Sequence, residues 1–191
     1  MRGHAWARWL VPMALVLAFL GSRVPALAAS RRPSVPRDFA GKITSGGRER
    51  TFWVHLPAPG ALAKPVALVL MLHGHGGTGR NTVDFTRGGL NRLADRDGAV
   101  VVYPDGIDKG WNDGRIKPGE PDPSQKPDDV GFIRDLIAHM RTKFQVDDRR
   151  IYAAGISNGA MMCHRLACDM ADTFSAVGSV IGALGEDLSR T

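Results

Sequence analysis

Gly155-Ile156-Ser157-Asn158-Gly159 sets a hydroxyl between two glycines, each two residues away. That spacing suits a serine on a sharp strand-to-helix reversal, where a side chain two positions before or after would strike the returning chain. The hydroxyl then stands exposed at the C-terminal edge of a sheet and can attack a carbonyl carbon. In a glycine-rich chain the five-residue pattern alone is weak. Its setting adds weight, because an apolar strand pattern ends at Ala154 and an amphipathic helix pattern starts by Ala160. Ser157 is therefore the candidate nucleophile, with Gly155 and Gly159 as the elbow.

Acyl transfer develops negative charge on the carbonyl oxygen, and fixed backbone N–H groups aimed at it can each contribute roughly 3 kcal/mol in a water-poor site. One such donor is the residue after the nucleophile, here Asn158. The other comes from the loop after the third strand, and His73-Gly74-His75-Gly76-Gly77 follows the apolar run Val66–Leu72. His75 is assigned as this second donor, with Gly76 as the alternative. One or both of the imidazoles of His73 and His75 are read as only holding the loop by hydrogen bonds. A base must reach Ser157 from above, whereas these histidines lie on the oxyanion side.

Other chemistries find less support. Asp105, Asp108, Asp113, Asp122, Asp128 and Asp129 fit no calcium-loop spacing and read as solvated loop acids. The sequence contains no P-loop, dinucleotide fingerprint or zinc-type Cys/His spacing, so no cofactor or metal is implied. Cys163 and Cys168 are five apart on a helical pattern, about 140° around the axis, which is poor geometry for a mutual disulfide. They read as buried small hydrophobes or as thiols without a partner.

Five ordered stretches resemble the secreted α/β-hydrolase esterases grouped as polyhydroxybutyrate depolymerases, feruloyl esterases and acetylxylan esterases. They are Leu72-His73-Gly74-His75-Gly76-Gly77, Val102-Tyr103-Pro104-Asp105-Gly106, Gly110-Trp111-Asn112, Asp128-Asp129-Val130-Gly131-Phe132 and residues 155–162. The resemblance implies that Ser157 attacks an ester and that Trp111 and Asn112 border the acyl pocket, although Trp111 also fits an ordinary packed aromatic. The substrate it implies is a polyester or a plant cell-wall ester. In this fold the triad acid and histidine follow the serine on loops after later strands. Only 34 residues follow Ser157, and a helix and one strand fill them. The expectation is a partial α/β-hydrolase domain over 41–191 that lacks the last strands and helices, and with them the triad acid and histidine. A non-catalytic binding protein and one half of a split esterase are the alternatives.

The elements that position these residues follow from periodicity. Residues 42–45 and 50–56 flank Gly46-Gly47 and read as a hairpin. Residues 65–72, 99–103, 151–154 and 174–181 read as strands. Helical patterns cover 81–95, 130–144 and 160–170, and 104–127 reads as one long irregular loop. Alternating strands and helices after a hairpin mean an α/β architecture, a mostly parallel sheet with helices on both faces. If no further strand follows 174–181, its free edge favours self-association.

Composition sets the outer bounds. The 191 residues, 43% hydrophobic and 23% charged, suit one globular domain. Of the 25 basic residues, Arg2, Arg8 and Arg23 lie in the first 28 positions, which hold no acid, so the remainder exceeds its 19 acids by only three. That surplus calls for no nucleic-acid partner. Arg2 and Arg8, the apolar run 10–20 and Ala26-Leu27-Ala28 form a signal peptide over 1–28, and the run is too short to span a membrane. Residues 29–40 read as an extended lead-in to a secreted domain.

Overall fold

The computed structural model describes residues 36–116, 119 and 121–184; the signal peptide expected over 1–28 and the first part of the lead-in lie outside the described residues. Among these residues, β1 (Asp38–Ser45), β2 (Arg48–His55), β3 (Val66–Leu72), β4 (Ala99–Pro104), β5 (Val146–Ile156) and β6 (Ala176–Val180) form one sheet. Its order is β1-β2-β4-β3-β5-β6. β1 and β2 pair antiparallel, as do β2 and β4, while β4, β3, β5 and β6 run parallel. The hairpin turns through Gly46 and Gly47 at φ 55° and 74°, the left-handed pair that a two-residue turn of matching twist requires.

Alternation along β3 divides the core. Leu68, Leu70 and Leu72 pack with α3 (Asp129–Lys143) and α4 (Asn158–Asp169) on one face. Ala67 and Met71 pack with Val83 of α1 (Gly79–Phe85) and Ala94 of α2 (Gly89–Asp97) on the other. Burying both faces of a central strand explains its unbroken apolar sequence, and each leucine contributes about 1.5–3 kcal/mol.

Four expectations are corrected. β1 starts at Asp38, opposite His55, so residues 38–40 belong to the sheet and not to the lead-in; Phe39 packs against the core. The single helix expected over 81–95 is two, because Arg87 and Gly88 turn left-handed at φ 49° and 63°. β5 begins at Val146, not at 151. Val66 faces Val146 and Leu68 faces Ile151, so Asp147, Asp148, Arg149 and Arg150 bulge out and hide the strand behind charge. The last strand is shorter than 174–181.

The acids also depart from the solvated reading. Arg50 on β2 and Asp129 on α3 are 4% and 1% exposed, and Arg50 Nη2 donates to Asp129 Oδ1 at 2.7 Å. The guanidinium lies 3.8 Å from the centre of the Phe132 ring. Asp129 Oδ2 accepts the Asn112 N–H at 2.7 Å. Burial pushes the Asp129 carboxyl up, opposed by that N–H and by Arg50. Asp105 accepts the Gly79 N–H and the Thr51 hydroxyl, both at 2.7 Å. Asp128 caps α3, accepting the Gly131 N–H at 2.8 Å.

Ser157 is the sole residue between β5 and α4, at φ 53° and ψ −119°. A serine there carries roughly 1–3 kcal/mol of backbone strain. It is held by its N–H donating to Val180 O at 2.9 Å and its carbonyl accepting the Met161 N–H at 3.0 Å. A Cβ on Gly155 would collide with the Gly159 carbonyl, and one on Gly159 would lie 2.5 Å from both Leu72 O and His73 O. The start of α4 therefore rests on the bare end of β3.

Two substitutions test these contacts. Gly159→Val should cost about 3 kcal/mol or more, lowering the melting temperature by roughly 6–12 °C; an unchanged melting curve would contradict the close approach. Asp129→Ala strands a buried guanidinium and should cost about 3–5 kcal/mol in denaturant unfolding. The exposed Asp84→Ala should stay within about 0.5 kcal/mol.

Candidate active site

Ser157 precedes α4 without capping it, and its hydroxyl makes no hydrogen bond among the described residues. The side chain borders two clefts at the C-terminal edge of the parallel strands. One, of about 560 Å³, is walled by Asp108, Trp111, Asn112, Arg115, Lys126 and Met161. The other, of about 350 Å³, is walled by Gly74, Asn81, Thr82, Phe85 and Ile156. Ser157 and His75 border both.

The loop after β3 closes on the serine from one side. A Cβ on Gly74 would lie 3.5 Å from the Ser157 Cβ. The Gly76 N–H donates to Lys109 O at 2.7 Å and the Gly77 N–H to Gly74 O at 3.0 Å. The N–H groups of His75 and Asn158 take no acceptor among the described residues. Of the backbone donors assigned from the sequence, Gly76 is thus occupied, while His75 and Asn158 are open.

The two loop histidines play different parts. His73 is buried; its Nε2 accepts the Gly106 N–H at 2.9 Å, so Nδ1 carries the proton and donates to Gly74 O at 2.8 Å. Burial lowers its pKa and favours the neutral ring. Of the two rings, one or both of which were expected to hold the loop, His73 does so, whereas the exposed His75 imidazole makes no hydrogen bond among the described residues.

Trp111 and Asn112 both wall the larger cleft, and both are buried with their polar groups committed. The Trp111 indole N–H donates to His73 O at 2.9 Å, and its ring centre lies 4.9 Å from that of His73. The Asn112 amide donates to Pro123 O at 2.8 Å and Pro127 O at 3.0 Å. Arg165 on α4 donates to Asn112 O at 2.8 Å.

Sequence reasoning treated Asn158 only as a backbone donor and did not anticipate its side chain. The Asn158 Oδ1 accepts the Trp111 N–H at 2.7 Å, and its Nδ2 donates to Trp111 O at 3.1 Å and to Asp113 Oδ2 at 2.6 Å. Arg115 grips Asp113 through Nε at 3.0 Å and Nη2 at 2.6 Å. Burial alone would push the Asp113 carboxyl up, but the Arg115 and Asn158 bonds together hold it below the usual range. The nearest signal was the density of polar residues over 111–115.

Other histidines lie elsewhere. His55 on β2 is buried between Asp38 and Asp95, at 2.9 and 3.2 Å. His139 packs its ring near Phe52, and His164 lies on α4 without bordering either cleft. The cysteines are unpaired and divide between the two alternatives: Cys163 is buried, which pushes its thiol up to about 12, whereas Cys168 is an exposed thiol without a partner. No helix among the described residues is long and apolar enough to cross a membrane.

Comparison with known proteins bears on this geometry. A "Putative esterase NocK" of Nocardia uniformis subsp. tsuyamanensis is 36% identical over 148 residues, covering 76% of this chain and 41% of that protein. A poly(3-hydroxybutyrate) depolymerase of Ralstonia pickettii is 30% identical over 184 residues, 90% of this chain and 36% of that protein. Among solved structures, an acetyl xylan esterase from Aspergillus awamori superposes with a TM-score of 0.59 at 18% identity, over 77% of this chain and 53% of that one. The chain thus spans about half or less of the length of these proteins. Residues 51–190 match the family described as esterase PHB depolymerase. With a match over most of its length and an α/β-hydrolase sheet beneath it, the chain belongs to that esterase family.

Proposed function

We propose that this chain carries the nucleophile and oxyanion hole of a secreted serine carboxylic-ester hydrolase. The observation that carries the reading is Ser157 at φ 53°, its hydroxyl unbonded, beside the open N–H groups of Asn158 and His75. In that reaction Ser157 Oγ attacks the ester carbonyl while a histidine outside the described residues takes its proton. Those two N–H groups hold the oxyanion. Collapse expels the alcohol, which receives the proton, and water then releases the acid from Ser157. The relatives' names suggest hydroxybutyrate polyesters, feruloyl esters or acetylated xylan as substrates. The leader-like residues 1–28 support export.

A second reading is a secreted binding protein that uses the clefts without catalysis, or one half of a split esterase. Both are favoured by the absence of any imidazole on the Ser157 hydroxyl among the described residues. At neutral pH the chain should turn over p-nitrophenyl acetate several orders of magnitude more slowly than a full-length relative. Near about pH 10, where hydroxide can act in place of an imidazole base, excess reagent should leave an acetyl group on Ser157, read by peptide mass spectrometry and lost in Ser157→Ala. Acetylation spread evenly over surface residues would contradict the esterase reading and favour the binding one.

Self-association belongs to the same proposal. β6 pairs only with β5 among the described residues, and Val180 and Ile181 beside its edge are 52% and 82% exposed. Such an edge with apolar neighbours favours association. Mature protein should elute from a sizing column as an oligomer; a sharp monomer peak across micromolar concentrations would contradict this.

A further inference from the structure

The two open backbone donors beside Ser157 belong to different elements. Asn158 begins α4, and His75 lies in the loop after β3. An oxyanion is stabilised well only when both N–H groups sit about 3 Å from the same oxygen, so the distance between them has to be fixed. The segment 106–113 bonds to both sides. Toward His75, the Gly106 N–H donates to His73 Nε2 at 2.9 Å, the Trp111 indole N–H donates to His73 O at 2.9 Å, and Lys109 O accepts the Gly76 N–H at 2.7 Å. A Cβ on Gly110 would lie 3.1 Å from His75 Nδ1 and 3.7 Å from Asn158 Oδ1, so bare backbone lies between the two residues.

Toward Asn158 the segment is bonded by a side chain. Asn158 is the first residue of α4, yet its amide bonds nothing in that helix among the described residues. It reaches 47 positions back in sequence instead, accepting the Trp111 N–H at 2.7 Å and donating to Trp111 O at 3.1 Å, as the backbone of a neighbouring strand would. Asp113, 5% exposed, gives the amide its direction. An ionised carboxylate only accepts, so Asp113 Oδ2 takes the Nδ2 donor at 2.6 Å and leaves Oδ1 for the Trp111 N–H. A helix start needs none of these bonds, and burying an amide is costly unless its partners are supplied.

We infer that Asn158 acts twice in the esterase chemistry proposed above, on which this role rests. Its N–H meets the oxyanion, while its side chain, directed by Asp113, clamps the segment that holds the loop on both sides of His75 and so fixes the distance between the two donors. The Asn158 amide and Asp113 are accordingly positioning groups for the oxyanion hole.

The test compares p-nitrophenyl acetate with its thiono analogue, in which sulfur replaces the carbonyl oxygen, at about pH 10. In both reactions hydroxide takes the serine proton, a bond forms from Ser157 Oγ to the acyl carbon, and p-nitrophenolate leaves. Sulfur is a weak acceptor, so the ratio of acetylation to thioacetylation at Ser157, followed by peptide mass spectrometry, reads the oxyanion hole apart from the nucleophile. Asn158→Ala and Asp113→Ala should each lower that ratio about tenfold. The double variant should lower it no more than about threefold beyond Asn158→Ala, because the two groups act through one clamp. Asp113→Ala keeps both bonds to Trp111, so its melting curve should stay cooperative and its ratio measurable even where Asn158→Ala folds poorly. An unchanged ratio, equal losses in both reactions, or additive losses in the double variant would each overturn the positioning role. If the unmutated chain takes an acetyl group on Ser157 and the ratio does not move in the variants, only this role falls; if it takes none, the esterase reading falls and this role with it.

Discussion

A Cβ at position 159 would sit 2.5 Å from two carbonyl oxygens at the end of β3, so α4 can begin where it does only on bare backbone. From that contact the rest of the site follows. With α4 pressed onto β3 and β5 running alongside, one residue must reverse the chain, and Ser157 takes a left-handed φ to do so. Its strain of roughly 1–3 kcal/mol is small beside the burial of Leu68, Leu70 and Leu72 beneath it. The same placement aims the Asn158 amide at Trp111 and Asp113. Trp111 in turn bonds the carbonyl of His73. Strand end, helix start and loop thus form a closed ring of contacts around the serine.

A second constraint is electrostatic. Arg50 and Asp129 come from the hairpin and from α3, and their buried pair also holds the backbone of Asn112 and the carbonyl of Asp105. Replacing such a pair with apolar residues often leaves stability unchanged, whereas removing one member is costly. Here the pair's effect is positional: it ties the loop that walls the larger cleft to two elements far apart in sequence.

Much of this was legible beforehand. The unbroken apolar run of β3 and the 3.6-residue period of α3 depend on local pattern, and Gly155, Ser157 and Gly159 form a local motif. What stayed hidden depends on partners distant in sequence. Asp113 and Asp129 look like their solvated neighbours until Asn158 and Arg50 are brought to them. β5 was hidden by a charged bulge over 147–150, and the break between α1 and α2 falls at Arg87 and Gly88, which take left-handed φ. His73 and His75 share a loop and a residue type, and only the position of Gly106 distinguishes the ring that holds the loop from the ring that faces the clefts.

The most direct measurement of the central claim is a crystal structure of the chain after slow reaction with an alkyl phosphonate ester at alkaline pH. Phosphorus should sit on Ser157 Oγ with the phosphonyl oxygen about 3 Å from the nitrogens of both Asn158 and His75. Phosphorus on another residue, or a phosphonyl oxygen turned toward solvent with those two N–H groups empty, would contradict it.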